Sequence, residues 1–142
     1  MTLIQATTLQ VGAHGVMLLG ASGAGKSDLA LRLIADGALL VSDDQTRLTL
    51  KDGKLIANAP TTIAGKLEVR GLGIVRAAQI ESAVVRLTVE LAAPVIERMP
   101  EPAMWSPPHV AGWPQVPLIA LAPFEPSALI KLRLALLAVL RA

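Results

Sequence analysis

Eight consecutive residues, Gly20-Ala21-Ser22-Gly23-Ala24-Gly25-Lys26-Ser27, carry the spacing G-x-x-x-x-G-K-[ST] of a phosphate cradle. Glycines at 20, 23 and 25 let the main chain turn tightly and approach an anion with no Cβ in the way. The N–H groups of the loop, and the positive end of the helix behind it, then face the phosphate oxygens. Lys26 adds a point charge for the terminal phosphates, and Ser27 offers a hydroxyl to Mg²⁺. Gly20 to Ser27 are therefore candidate nucleotide-binding residues; the competing reading is a glycine-rich turn that matches by chance. A cradle alone does no chemistry. Phosphoryl transfer also needs a carboxylate to share the metal and another to take a proton from the incoming hydroxyl. Asp43 and Asp44 follow the apolar run Ala38-Leu39-Leu40-Val41, where acids that serve a nucleotide's metal sit. Neighbouring side chains on an extended segment point to opposite sides, so separate roles are expected for them. By themselves, two aspartates also read as a turn.

The flanking pattern supplies elements that could position these groups. Gly15-Val16-Met17-Leu18-Leu19 reads as a buried strand, and Asp28 to Asp36 as an amphipathic helix. Its apolar face holds Leu29, Ala30, Leu33 and Ile34, with Asp28, Arg32 and Asp36 opposite and Gly37 as the stop. Met1 to Leu9 reads as a strand, with a turn at Gly12 to Gly15. Ala38 to Val41 is a short buried strand that delivers the aspartates at its C-terminal end, where ligands of α/β sheets gather. Arg47 to Leu50 and Leu55 to Ala57 flank Lys51-Asp52-Gly53-Lys54, a hairpin whose Asp-Gly centre favours a type I′ turn. Val84 to Leu91 alternates, predicting a half-buried strand with Arg86, Thr88 and Glu90 outward. Prolines punctuate 94–126, an irregular stretch with a brief strand at Val116 to Leu121. Pro126 then opens a C-terminal helix, apolar nearly all round and expected to be buried against the sheet or a second subunit.

Composition narrows the class. The 142 residues suit one α/β domain (1–142) with its own core. Hydrophobic content of 53% against 17% charged residues points to much buried surface or to contacts between copies, and the very apolar C-terminal helix makes a homo-oligomer the expectation. The apolar stretch Ser127 to Leu140 is interrupted by Lys131 and Arg133 and is too short to span a bilayer. No secretory pattern opens the chain, and with no cysteine a reducing cytoplasm is the default compartment. A net charge of +2 without a basic cluster and with 2% aromatic residues argues against nucleic acid as a partner.

A second constellation is Leu67-Glu68-Val69-Arg70-Gly71-Leu72-Gly73-Ile74. Glu68 and Arg70, two apart on an extended segment, share a face, and the two glycines permit a close backbone approach. A surface ion pair before a turn would explain it equally. Together with the P-loop, Asp28-Leu29-Ala30-Leu31-Arg32-Leu33-Ile34 and Ser42-Asp43-Asp44, however, this stretch resembles the HPr kinase/phosphorylase family. Within that family the chain looks like the short proteobacterial type, which keeps only the catalytic domain. The likeness is tight from Ile4 to Ile74 and loose beyond. It implies an ATP- and Mg²⁺-dependent kinase that phosphorylates a serine of HPr, a small phosphocarrier of the phosphotransferase system. It also implies a P-loop fold like that of phosphoenolpyruvate carboxykinases, a twisted mixed sheet with flanking helices. On the same ground Lys26 matches the phosphate-binding lysine, Ser27 a Mg²⁺ ligand and Asp44 the proton acceptor. Asp43 would assist the metal, Glu68 would be the other Mg²⁺ ligand, and Arg98 would be a catalytic arginine, against its plain reading as a solvated charge.

Two departures bear on activity. Gln5 stands where the family pattern has a histidine, and a glutamine carries no proton near neutral pH. Leu121-Ala122-Pro123-Phe124-Glu125-Pro126 lacks the glycine and arginine of the late loop that serves dephosphorylation in longer members, so kinase activity is expected ahead of phosphorolysis. The rivals are a P-loop kinase of a small metabolite, which leaves Glu68 to Gly73 unexplained, and a nucleotide-binding regulator without turnover. A GTPase lacks its base-reading Asn-Lys-x-Asp.

Overall fold

The computed structural model describes residues 1–141. The first strand, β1 (Thr2–Val11), turns at Gly12 into the antiparallel β2 (His14–Leu19), which runs into the P-loop and then α1 (Lys26–Ala35). Helix α1 stops where Gly37, at φ 104°, takes the left-handed turn that caps it. The Ala38 amide donates to Leu33 and that of Gly37 to Ile34, both at 3.0 Å, the pairing that satisfies the last carbonyls of such a helix end. Strand β3 (Leu39–Ser42) returns beside β1, and β4 (Gln45–Lys51) and β5 (Lys54–Asn58) form the expected hairpin. Asp52 and Gly53 both have positive φ, 52° and 73°, as a type I′ turn requires.

The family-like stretch 66–76 folds as a small separate hairpin, β6 (Lys66–Val69) and β7 (Gly73–Arg76). Gly71 and Gly73 have φ near 90°, the left-handed conformation that the turn between them requires, and a Cβ on either would meet no other part of the described chain within 4 Å. Strand β8 (Ser82–Glu90) then pairs antiparallel with β5, parallel with β2 and parallel with β10 (Val116–Ala120). A three-residue strand that the sequence pattern does not announce, β9 (Ala103–Trp105), edges β10 before α2 (Ala128–Arg141) closes the described chain.

The pairings β1–β2, β2–β8, β8–β5, β5–β4 and β4–β1 close a ring of strands, so the mixed sheet curls until its two sides meet. Alternating side chains then face two cores. Along β2, Met17 and Leu19 point into the ring with Ile4, Leu48, Leu55 and Ala57, while Val16 and Leu18 point outward beneath Leu29 and Leu33 of α1. Strand β8 departs from simple alternation. Its register slips between Gly15↔Val85 and Val16↔Leu87, leaving Arg86 as the extra residue of a bulge. Val85 consequently joins the inner core while Leu87, Val89 and Leu91 join the outer one. Thr88, expected on a wet face, is fully buried, with its hydroxyl donating to Pro117 O at 2.8 Å. Helix α2 meets the sheet with one of its apolar faces. Ala128, Leu132 and Leu136 are buried against the outer core, but Ile130, Leu134 and Leu137 remain exposed.

Candidate active site

Parallel strands β2, β8 and β10 deliver their C-terminal ends to one side of the sheet, and the P-loop follows β2 there. The last residue of β2 is fixed from β8's side: Leu91 N–H donates to Leu19 O at 3.0 Å. Gly20, Gly23 and Gly25 all have positive φ, with 103° at Gly25 immediately before the helix. Lys26 is 4% exposed because its side chain folds back across the loop, donating to Gly20 O at 2.5 Å. Its Nζ also lies 3.2 Å from Asp44 Oδ1.

Asp43 is the hub beneath the cradle. Its Oδ1 accepts from the Ser27 hydroxyl at 2.8 Å and from the Thr7 hydroxyl at 3.0 Å. Its Oδ2 accepts from the Glu68 amide at 3.0 Å, which docks the β6–β7 hairpin onto the site. The expectation that Asp43 and Asp44 point to opposite sides is corrected. The extended segment ends at Ser42, and Asp44 sits at φ 61°, a left-handed conformation that aspartate tolerates better than most residues. The chain bends there, so Asp43 meets Ser27 while Asp44 meets Lys26, adjacent residues of the P-loop. Their roles remain separate, but both serve one point.

Thr7 is a participant that no motif singles out. It lies on the outward face of β1 with Leu9 and Val11, the face that α1 covers. Besides donating to Asp43, its oxygen accepts from the Asp44 amide at 3.0 Å, so one buried hydroxyl holds both acids. The available signal is Thr7-Thr8, two hydroxyls side by side in a largely apolar strand. Thr8 is buried as well, 2.7 Å from the Thr46 hydroxyl.

Other candidates stand further out. The Glu68 side chain is exposed, and only its amide joins the cluster. Arg98 is exposed in the irregular stretch after β8, and among the described residues it forms no ion pair with the P-loop acids. Gln5 is exposed on β1 opposite Gln45. A surface cleft of about 560 Å³, lined by Ser106, His109, Trp113 and their neighbours, includes none of the P-loop residues.

The donor set suits a hard cation beside a triphosphate. Ser27 and Asp44 present oxygens at the helix start, with Asp43 oriented behind Ser27. Among the described residues no group of three acids or histidines is close enough to hold a metal unaided.

Comparison with known proteins bears on the family and the fold. The chain is 39% identical over 79 residues to an HPr kinase/phosphorylase of Clostridium botulinum, covering 56% of this chain and 26% of that protein. It is 43% identical over 74 residues to the HPr kinase/phosphorylase of Clostridium beijerinckii, covering 52% and 24%. The chain thus spans about a quarter of the length of these curated relatives. Among solved structures, the HPr(Ser) kinase/phosphatase of Coxiella burnetii superposes with a TM-score of 0.78 at 26% identity, covering 99% of this chain and 97% of that one. The twisted mixed sheet with flanking helices is therefore the P-loop kinase fold of that protein. No helix among the described residues is long and apolar enough to cross a membrane. With residues 1–92 matching the family model described as the HPr serine kinase C-terminal domain, the chain belongs to that family.

Proposed function

We propose that this chain is an ATP- and Mg²⁺-dependent serine kinase acting on an HPr-like phosphocarrier protein. The observation that carries the reading is the convergence of Asp43 on Ser27 and Asp44 on Lys26 at the start of α1. The P-loop amides and Lys26 grip the triphosphate and neutralise charge that grows on it during transfer. Mg²⁺, when bound, would supply positive charge to the phosphate oxygens. Ser27 would hold it, with Asp43 fixing the Ser27 hydroxyl and Glu68 reaching in from β6. Asp44 accepts the proton of the incoming serine as its Oγ–P bond forms and the bond from the γ-phosphorus to the ADP oxygen breaks. Asp44 is suited to this because it is 48% exposed, open to a protein substrate, while its backbone is pinned by Thr7. Arg98 would act only if the carrier's docking draws its segment inward. The family likeness supports the HPr-like substrate.

Incubation with radiolabelled ATP, Mg²⁺ and purified HPr tests the reading. Labelled phosphoserine on HPr that is lost with Lys26→Ala supports it. Tight ATP binding with no phosphoserine would favour a regulator without turnover.

A further inference from the structure

A second loop closes on the phosphate cradle from the far end of the chain. Gly25, the last residue before α1, looks onto the turn after β10: a Cβ built on Gly25 would lie 2.9 Å from Pro123 Cγ and 3.0 Å from Phe124 Cζ.

The turn that faces Gly25 follows the C-terminal end of a parallel strand, on the side of the sheet where the P-loop lies. It is fixed at several points. Leu121 N–H donates to Glu90 O at 3.1 Å, Arg32 of α1 donates to Pro123 O, and the Glu125 carboxylate pairs with Lys131 at 2.9 Å. Pro123 is buried, whereas Phe124, the single phenylalanine of the chain, is 68% exposed with its ring tip at the phosphate loop. Holding a large apolar ring in water beside a polar cradle gains nothing for the fold itself. It does set the ring beside Gly25, at the loop proposed above to grip a triphosphate.

We infer that Phe124 is the platform on which the nucleobase of the bound nucleotide stacks, with Pro123 and Arg32 positioning it. The inference rests on the P-loop gripping a triphosphate, as proposed above. Stacking is tolerant of base identity, because every base has a π-face, so the site would take adenine and guanine nucleotides alike.

Calorimetry with two probes, MgATP and inorganic tripolyphosphate, tests it on the full chain. Phe124→Ala is expected to weaken MgATP binding about tenfold, within the range for loss of one aromatic stacking partner, and to leave tripolyphosphate binding unchanged. Phe124→Trp should restore MgATP affinity, which shows that the fold tolerates replacement. Equal loss for both probes, or no loss for either, overturns the inference while leaving the triphosphate reading intact. A change in sedimentation with an unchanged ratio of the two affinities also overturns it, and assigns Phe124 to a contact between copies. Failure of wild-type protein to bind either probe, or Lys26→Ala binding as wild type does, removes the triphosphate reading and the inference with it.

Discussion

Lys26 Nζ lies 3.2 Å from Asp44 Oδ1, although the lysine is 4% exposed and the aspartate 48%. The buried partner belongs to the phosphate loop and the open one reaches solvent. One ion pair therefore joins the lysine proposed to grip phosphate to the aspartate proposed to take the proton.

Replacing Asp44 by Asn keeps a side chain that accepts the left-handed backbone at φ 61°, so the fold should persist. Transfer to HPr is expected to fall about 10²–10⁴-fold, the usual worth of a positioned base. ATP affinity, read by calorimetry, should change by only a few-fold. Unchanged turnover would remove Asp44 from the chemistry.

Thr7→Val preserves shape but strips one hydrogen bond from Asp43 and orphans the Asp44 amide. Asp43 keeps its bond from Ser27, so one lost bond and one part-buried amide without a partner should cost about 1–3 kcal/mol. Urea unfolding would read this directly, and Thr7→Ser should recover most of it.

Gly25→Ala places a methyl group 2.9 Å from Pro123 Cγ at a backbone φ of 103°. Both the strain and the clash oppose it, so stability should drop by about 1–3 kcal/mol. Tripolyphosphate affinity should fall as well. A stable variant with normal affinity would show that the turn after β10 moves freely.

Glu68→Gln separates the carboxylate from the amide. The amide stays to dock on Asp43, and the side chain is exposed, so thermal stability should not change. If the carboxylate reaches Mg²⁺, the metal concentration for half-maximal transfer should rise roughly tenfold, comparable to losing one charge-assisted contact. An unaltered metal dependence would exclude it as a ligand.

Local chemistry is legible in the residues. The P-loop, helix α1 with its Gly37 stop and the Asp52-Gly53 hairpin each follow from short-range rules, and each is present. What depends on distant pairing is not. The bulge at Arg86 arises only because β8 must lie beside β2, and it divides one apparent apolar face between two cores. Asp44's bend and the role of Thr7 likewise need β1 and β3 side by side. The apolar α2 reads as covered by the sheet or by a second copy, and periodicity does not say which face meets the sheet; Leu132 and Leu136 do, while Ile130 and Leu134 are exposed on this chain.

The closure of the strand ring also governs the order of events during synthesis. Leu19, the last strand residue before the P-loop, is bonded by Leu91, more than seventy positions later in the chain. A nascent chain that has emerged only as far as β7 holds every letter of the phosphate motif and the β1 side of β2, but lacks β8, which holds β2 from the other side. Nucleotide capture should therefore switch on abruptly once β8 has left the ribosome, instead of growing with chain length.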